Sequence, residues 1–429
     1  MNSVNERRKI NMTSKERVLA SLDHKQPDKI PIDFGGHVCS MMNATCVAAL
    51  RDYYGLEKRP VRIWDVSTMT GEIEKDLRDV MGVDCEPFPT YDLCFGLKNT
   101  ENWKSWEYRG MEVLVPENFE VRDDGKGGYY IYPEGDTSVA PSGHLPAGGY
   151  YFDDLVRQKD LDEDDMNYED NLEEYGPISD MSLEFLRQRV DAFRNSDKAV
   201  VMIPGGSALG DAANIPGNSL KDPKGIRSIP DWFAAPLLYP DYVHDVYSHQ
   251  VDRMIENWTK IYDIVGDAVD VAYICGADFG TQISQMCSME VFDEFYLPYY
   301  KRINDWVHEH TEWKTLKHTC GAVYPFIPRL IEAGFDAVNP VQCSARGMDP
   351  RRLKKDFGSK ITFWGGGVDT QKLLPFGTPE QIREQVLERC EIFGEGGGFI
   401  FNSIHIVQCN TPVENIVAMI NAVHEYNGN

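Results

Sequence analysis

The chain has 429 residues, of which 42% are hydrophobic and 11% aromatic, and its formal net charge is −25 at pH 7. This composition is typical of a folded protein and excludes a disordered chain; the length suits one large α/β barrel with additions, or two domains. The acidic charge argues against nucleic-acid binding, because no basic surface would offset phosphate repulsion.

Membrane insertion and secretion are not expected. No apolar run approaches the roughly 18 residues that a membrane helix needs, and the charged start lacks the apolar segment of a signal peptide. The ten cysteines form neither a C-x-x-C pair nor a regular framework. We therefore expect a reduced, cytoplasmic protein.

The first elements follow β-α-β-α order. Thr13 and Glu16 form a T-x-x-E capping box that opens a short helix, and "KIPIDF" (29–34) reads as a strand. A helical stretch then runs to about Tyr54. The strand "VRIWDV" (61–66) and the helix "GEIEKDLRDVM" follow.

The alternation breaks in the region 85–160. The stretch "GMEVLVPENFEVRDDGKGGYYIYPEG" alternates apolar and polar residues around the turn "DDGKGG", which predicts antiparallel hairpins. We interpret the region as a β-rich insertion over one barrel loop. The acidic run 159–176 is predicted to be a solvated connection, with a cation site as the alternative.

After residue 180, strands and helices alternate again. With the two N-terminal strands they make eight, which favours a (β/α)8 barrel formed by residues 1–429 as a single domain. An open doubly wound sheet is the alternative, but no strand is followed by G-x-G-x-x-G. The later predicted strands are 199–203, 269–275, 314–320, 336–342, 361–366 and 398–404.

Polar side chains gather where the predicted strands end, which is where barrel enzymes place their catalytic groups. The potential metal ligands are far apart in sequence but share this rim. The strand-end residues are Asp33, His37, Cys39, Asp65, Cys275, Asp278, Gln282, His318, Cys320, Gln342, Cys343, Asp369, Gln371, His405 and Cys409.

His318 and Cys320 are the strongest metal candidates. At i and i+2 on one strand they point the same way, and zinc accepts imidazole and thiolate together. Cys409, just past another strand, would complete three protein ligands, with His405 and Cys343 as spare candidates. The alternative is that an H-x-C tripeptide arises by chance and that its cysteine is a small core residue.

Other residues keep two interpretations. The pair His37 and Cys39 is either a second ligand pair or a hydrogen-bonded loop. Asp278 is either a helix N-cap or a pocket acid. The aromatic residues of the strand ends either line a pocket or fill barrel layers; they are Trp64, Tyr273, Phe279 and Trp364.

Four stretches together resemble the uroporphyrinogen decarboxylase superfamily. They are "TSKERVLASLDHKQPDKIPIDF", "HTCGAVYPFIPRLIEAGFDAVNPVQ", "FWGGGVDTQKLLPFGTPEQI" and "TPVENIVAMINAVHEY". The resemblance covers the start and nearly everything after residue 199, and it implies a (β/α)8 barrel. True decarboxylases resemble one another in an arginine-containing segment after the first strand. Residues 31–50 here contain no Arg or Lys, which argues against an octacarboxylate substrate.

The chain is more similar to the second branch of the superfamily, the cobamide-dependent methyltransferases. Their coenzyme M enzymes hold zinc with an H-x-C motif and a later Cys near "TP-x-EN"; His318, Cys320 and Cys409 match this pattern. The resemblance implies one Zn²⁺ per chain, a partner protein that supplies the corrinoid, and a small methylated substrate of the methyl ether or thiol type. Barrels of this superfamily often pair, so a homodimer is a further expectation.

The remaining roles are assigned from position at the strand ends. Asp278 and His405 are the candidates for orienting the substrate or handling its proton. The candidates for substrate binding are His37, Gln282, Gln342 and Cys343. Two alternative functions stay open: a metal-independent decarboxylase of uroporphyrinogen-like or other carboxylates, and a non-catalytic barrel that binds a tetrapyrrole or corrinoid.

Overall fold

A closed barrel of parallel strands forms the centre of the protein. The computed structural model describes residues 11–274 and 277–428. Seven parallel strands form one continuous sheet, and almost all of their residues are buried, as expected when helices cover the outside and side chains fill the inside. The strands, in sheet order, are Cys85–Pro87, Ala199–Met202, Val271–Ile274, Lys314–His318, Ala337–Asn339, Thr362–Trp364 and Phe399–Ile400.

Extended residues 30–34 close the barrel. Ile32 forms a parallel bridge with Phe401, and the Asp33 amide donates to the Phe401 carbonyl at 2.8 Å. On the other side, the Asp84 amide donates to the Ile32 carbonyl at 2.7 Å, beside the first strand of the sheet. The predicted (β/α)8 barrel is therefore confirmed.

Helices connect the strands and pack around them. The first begins at Thr13, whose side chain and that of Glu16 form the predicted capping box. The α-helices of the described residues are Ser14–Leu22, Ala44–Tyr53, Lys75–Met81, Asp180–Phe193, Ile229–Leu238, Pro240–Val265, Met289–Phe295, Leu297–His310, Ile327–Glu332, Pro350–Phe357, Leu373–Phe376, Pro379–Phe393 and Val413–Tyr426. None of these helices is long and apolar enough to cross a membrane.

The prediction that "VRIWDV" is the second barrel strand is wrong. Val61–Asp65 pairs antiparallel with Thr70–Gly71 and parallel with Met111–Pro116, in a separate five-stranded sheet. The second barrel position belongs to Cys85–Pro87, which the sequence analysis assigned to the insertion. This strand was not recognised because Glu86 and the prolines Pro87 and Pro89 leave no apolar run of the kind that marks the other barrel strands. Val61–Asp65 alternates buried and partly exposed positions, which is typical of a sheet with one solvated face.

The β-rich region beside the barrel contains the predicted hairpins. Val121–Asp123 pairs antiparallel with Tyr129–Ile131 around the "DDGKGG" turn. Trp103–Tyr108 pairs with Met111–Pro116 across a two-residue turn, in which Arg109 and Gly110 both have positive φ. Strands Met42–Asn43, Gly143–Leu145 and Asp153–Asp154 complete the two accessory sheets.

The acidic run 159–176 is anchored at its end. The guanidinium of Arg227, whose side chain is 1% exposed, lies 2.7 Å from the Glu174 carboxylate. Asn171 donates to the Ile226 carbonyl and accepts from its amide, both at 2.8 Å. These contacts fix the run to the segment that precedes the helix Ile229–Leu238.

Candidate metal centre at the barrel mouth

His318 and Cys320 face the same space at the carboxyl end of the barrel. His318 is the last residue of its strand, and its imidazole Nε2 lies 3.5 Å from the Cys320 Sγ. The i, i+2 spacing therefore brings both side chains to one point, as the alternation of strand side chains requires.

The hydrogen bonds of Asn339 determine the tautomer of His318. Asn339 lies at the end of the neighbouring strand, and its amide nitrogen donates to the Trp364 carbonyl at 2.9 Å. Its Oδ1 is thereby left to accept from His318 Nδ1, also at 2.9 Å. The proton of neutral His318 is consequently on Nδ1, and the Nε2 lone pair is directed at the neighbouring thiols. An oriented imidazole of this kind is typical of metal-binding histidines.

Two groups of potential ligands meet around His318. One consists of Asp278, His318 and Cys320, the other of Cys39, His318 and His405; within each group the ligand atoms lie within 4.8 Å of one another. From His318 Nε2 the distance is 3.8 Å to Asp278 Oδ1 and 3.9 Å to Cys39 Sγ. Imidazole, thiolate and carboxylate are the ligand types that zinc prefers.

Burial keeps the two imidazoles and the Cys320 thiol neutral in the metal-free protein. It lowers the pKa of His318, and it lowers the pKa of His405 to about 4 with a smaller contribution from the neighbouring His318. Burial also raises the pKa of the Cys320 thiol well above its usual range, with Asp278 adding to the shift. A bound cation would reverse the last effect, because a coordinated thiol loses its proton.

Asp278 also supports the cluster through the backbone. Its Oδ1 accepts a hydrogen bond of 2.7 Å from the Cys320 amide. The carboxylate thus links the loop after Val271–Ile274 to the loop after the His318 strand. The sequence analysis expected Asp278 to be either a helix N-cap or a pocket acid. In the structure it lies beside His318 and Cys320 at the candidate centre. Cys275, another predicted strand-end residue, lies outside the described residues.

Cys409 is in neither ligand group. Burial raises the pKa of its half-buried thiol, and the charge of Arg109 lowers it. The neighbouring Gln408 carbonyl accepts from the Cys46 thiol at 3.3 Å. The last loop of the barrel places the His405 ring near His318, with ring centroids 5.5 Å apart, whereas Cys409 belongs to neither ligand group.

His37 lies inside the barrel beneath the candidate centre. Its side chain is fully buried, and its ring stacks on Tyr273 at 5.1 Å and meets Trp364 edge-on. Nε2 lies 3.3 Å from Asp33 Oδ2, although neither ring nitrogen makes a hydrogen bond. Burial raises the pKa of Asp33 to about 6. The structure thus separates His37 from the substrate pocket and leaves Cys39 at the ligand group.

A pocket of about 420 Å³ opens directly above the cluster. Cys320 and His405 form part of its wall, together with the predicted substrate-binding residues Gln282 and Gln342. Cys343 is half-buried and is not among the residues of the wall. The other lining residues are Thr68, Tyr151, Gly280, Thr281, Gly321, Thr370, Gln371, Ile404, Ile406 and Gln408.

The pocket wall carries no formal charge among these residues, since the low pKa of His405 keeps its imidazole neutral. Amide side chains dominate its polar part: Gln282 donates to Gln371 at 2.8 Å, and Gln342 accepts from the Gly321 amide at 2.7 Å. Sequence reasoning missed Tyr151, Gln408 and Asn339. The first two come from loops whose course the sequence does not reveal, whereas Asn339 lies in the middle of the predicted strand 336–342 and ends the strand only in the structure.

The strand-end aromatic residues have different locations. Tyr273 and Trp364 are inside the barrel, and the Trp364 indole donates to Asp33 at 2.8 Å. Phe279 packs between helices, against Phe292 and Tyr296. Trp64 lines a separate cleft of about 200 Å³ beside the accessory sheet. These four residues therefore do not form one aromatic pocket.

Comparison with known proteins connects the C-terminal half of the chain to one family. Residues 225–426, which contain Asp278, His318, Cys320 and His405, match the family model of uroporphyrinogen decarboxylase. The uroporphyrinogen decarboxylase of Pseudoalteromonas translucida is 36% identical over 95 residues, which is 21% of this chain and 26% of that protein. That of Shewanella halifaxensis is 29% identical over 142 residues, 32% of this chain and 38% of that protein. The matched segments thus span well under half of these relatives.

A solved structure extends the likeness of the fold to nearly the whole chain. A methyltransferase from Methanosarcina mazei superimposes with a TM-score of 0.54 at 15% sequence identity, covering 97% of this chain and 99% of that one. Residues 225–426 thus carry a sequence match to the uroporphyrinogen decarboxylase family, and the likeness of the fold extends over nearly the whole chain.

Proposed function

We propose that the protein is a zinc-dependent methyltransferase that moves a methyl group between a small methylated substrate and the cobalt of a corrinoid protein. The observation that carries the proposal is the cluster of potential ligands around His318, whose Nε2 lone pair is free to coordinate. The cluster lies beneath a small uncharged pocket. The fold likeness to a methyltransferase agrees with this assignment.

The residues present fit a zinc ion. His318 and Cys320 supply nitrogen and sulfur, and Asp278 offers the third ligand to this pair; His405 and Cys39 form the second group around His318. The neutral histidines are ready to coordinate without losing a proton, since burial lowers the pKa of both. This set differs from the one implied by resemblance, in which Cys409 is the third ligand. Coordination by Cys409 stays a prediction; it would require the last loop to bring the thiol to the ligand group.

The chemistry assigns distinct roles to the chain. Zinc would act as a Lewis acid on a thiol or ether of the substrate, as metal ions do on other leaving groups and nucleophiles. Asn339 holds the His318 ring in the tautomer that presents Nε2. Gln282 and Gln342 offer amide groups to a neutral substrate at the pocket wall. His405 borders both the cluster and the pocket, where it can accept or return the substrate proton.

The dimensions of the pocket support delivery of the corrinoid by a partner. A volume of about 420 Å³ suits a small ligand rather than an enclosed macrocycle. The corrin ring would therefore remain at the barrel mouth, held by another protein, while the small substrate enters the pocket.

Metal-independent decarboxylation is the second candidate, because the curated relatives are decarboxylases. It would require cations for the substrate carboxylates. Lysine and arginine are absent from residues 31–50 and from the lining residues of the pocket. A substrate with several carboxylates would thus lack charge-assisted hydrogen bonds at the site. This argument favours methyl transfer.

The deciding experiment compares metal content and turnover. Protein purified without oxygen or chelator is expected to hold about one zinc per chain by mass spectrometry, and Cys320→Ser is expected to lose it. Cys287→Ser is the matched control, because this half-buried thiol lies outside both ligand groups. Wild-type protein without metal, but with the fold intact, would refute the zinc mechanism.

Methyl transfer itself is measured with a corrinoid protein and a panel of methyl ethers and thiols. The spectrum of the corrinoid is expected to convert between its methylated and Co(I) forms only with the metal-loaded enzyme. A spectral shift without turnover would instead identify a corrinoid-binding barrel. Release of CO₂ from a carboxylate substrate by metal-free protein would identify a decarboxylase.

A further inference from the structure

Lys317 is a lysine buried in the barrel wall directly before the candidate metal ligands. It is 0% exposed and precedes His318 in the strand, so alternation turns its side chain away from the barrel interior and toward the helices. There its ammonium lies 4.9 Å from the ring centre of Tyr300 and 5.5 Å from that of Phe279. Aromatic faces at such distances attract a cation.

The ammonium joins two loops of the candidate centre. Lys317 Nζ donates to the His318 carbonyl at 2.6 Å and is 3.4 Å from the Ala277 carbonyl. The first begins at the strand end His318 and carries Cys320, and in the second Ala277 immediately precedes Asp278. The same two loops are connected from the pocket side by the Asp278 carboxylate and the Cys320 amide. The cluster is thus tied together on both faces of the barrel wall.

Burial of this charge has no general benefit for folding. Removing an ammonium from water is unfavourable, and apolar replacements of buried charges are often neutral or stabilising. A lysine in this position is therefore better explained by what it holds in place than by a contribution to the free energy of unfolding.

We propose that Lys317 is a positioning residue, which fixes the His318–Cys320 strand end against the Asp278 loop so that their ligand atoms converge on one cation. This inference rests on the proposed metal site and extends it to a residue that touches neither metal nor substrate. Loss of Lys317 would let the two carbonyls, and with them the ligand side chains, separate.

The test is Lys317→Met, which keeps the length and removes the charge and the donors. Lys354→Met is the matched control: Lys354 is partly buried and likewise donates to two carbonyls, those of Phe393 and Gly397, each at 2.8 Å, but it belongs to neither the ligand groups nor the pocket wall. Co²⁺ affinity is expected to fall about 10- to 100-fold in Lys317→Met only, the range typical of changes behind the ligands. The Co²⁺ absorption spectrum is expected to shift in this variant and not in the control.

Hydrogen exchange provides a readout that does not depend on metal. In metal-free Lys317→Met, amides of residues 277–281 and 318–322 are expected to exchange faster than in the wild type, with the rest of the barrel unchanged. Unaltered exchange together with an unaltered Co²⁺ spectrum would overturn the inference. If the wild-type protein takes up no Co²⁺, the proposed function fails, and hydrogen exchange alone decides whether Lys317 joins the loops.

A second variant covers the case in which Lys317→Met does not fold. Phe279→Leu keeps the ammonium but removes one of its two aromatic faces. Its Co²⁺ spectrum and the exchange of the same two loops are expected to change in the same direction, by less. Wild-type behaviour in both measurements would contradict the role of Lys317.

Discussion

The Asp278 carboxylate accepts a hydrogen bond of 2.7 Å from the backbone amide of Cys320, a residue 42 positions further along the chain. The same oxygen lies 3.8 Å from His318 Nε2. One carboxylate thus both orders the loop that carries the thiol and offers a ligand to the cluster. These two roles can be separated by substitution.

Asp278→Asn is expected to preserve the loop and weaken metal binding. The amide oxygen of asparagine can still accept from the Cys320 amide, but the negative charge beside the cation is lost. We expect Zn²⁺ affinity to fall at least about tenfold, corresponding to about 1.4 kcal/mol, with the thermal midpoint nearly unchanged. Competition with a fluorescent chelator measures the affinity. Equal affinities of Asp278→Asn and wild type would exclude Asp278 from the metal site.

Asn339→Ala is expected to damage both folding and metal binding. It leaves His318 Nδ1 and the Trp364 carbonyl without their partner at a fully buried position, which costs on the order of 2 kcal/mol or more. Release of the imidazole is expected to lower metal affinity about 10- to 100-fold. Urea denaturation and chelator competition measure the two effects. Asn415→Ala, which removes a buried amide donor to Leu374 and Gly377 far from the cluster, is expected to affect stability alone.

The free energy of unfolding of the metal-free protein is expected to decrease as the pH is lowered, because His405 then takes up a proton. The folded pKa of about 4 lies below the ordinary value of 6.5, so the unfolded chain binds the proton first as the pH falls. The stabilisation is complete above pH 6.5 and is lost progressively toward pH 4, to a maximum of about 3 kcal/mol. Denaturant midpoints of wild type and His405→Gln, with chelator present, measure the difference. Parallel pH profiles of the two proteins would contradict the assignment.

The thiols are expected to differ strongly in reactivity in the metal-free protein. Burial raises the pKa of Cys39 to about 12, whereas Cys94 is exposed. Because the thiolate is the reactive form, Cys39 and Cys320 are expected to alkylate at least about 100-fold more slowly than Cys94 at neutral pH. Peptide mass spectrometry after timed iodoacetamide labelling measures each site. Rapid labelling of Cys320 would show that the pocket opens further than the structure describes.

Local pattern was sufficient for much of the fold. Six later barrel strands and the first were recognisable, because strands buried on both sides read as short apolar runs between helical stretches. Cys85–Pro87 was not recognisable, since a glutamate and two prolines interrupt the apolar run that would mark a buried strand. Val61–Asp65 was assigned to the wrong sheet. Its pairing partners are Thr70–Gly71 and Met111–Pro116, and the sequence of the strand itself does not reveal which strands it pairs with.

The candidate site divides in the same way. The sequence alone determined that His318 and Cys320 share one face of a strand, since the two-residue period of a strand is a local property. Only the tertiary structure decided which groups join them. His405, Asp278 and Cys39 lie near His318 because the barrel closes, and Cys409 is directed elsewhere by the course of a loop. Distance between residues far apart in sequence depends on the packing of the whole barrel, which no short stretch of the sequence encodes.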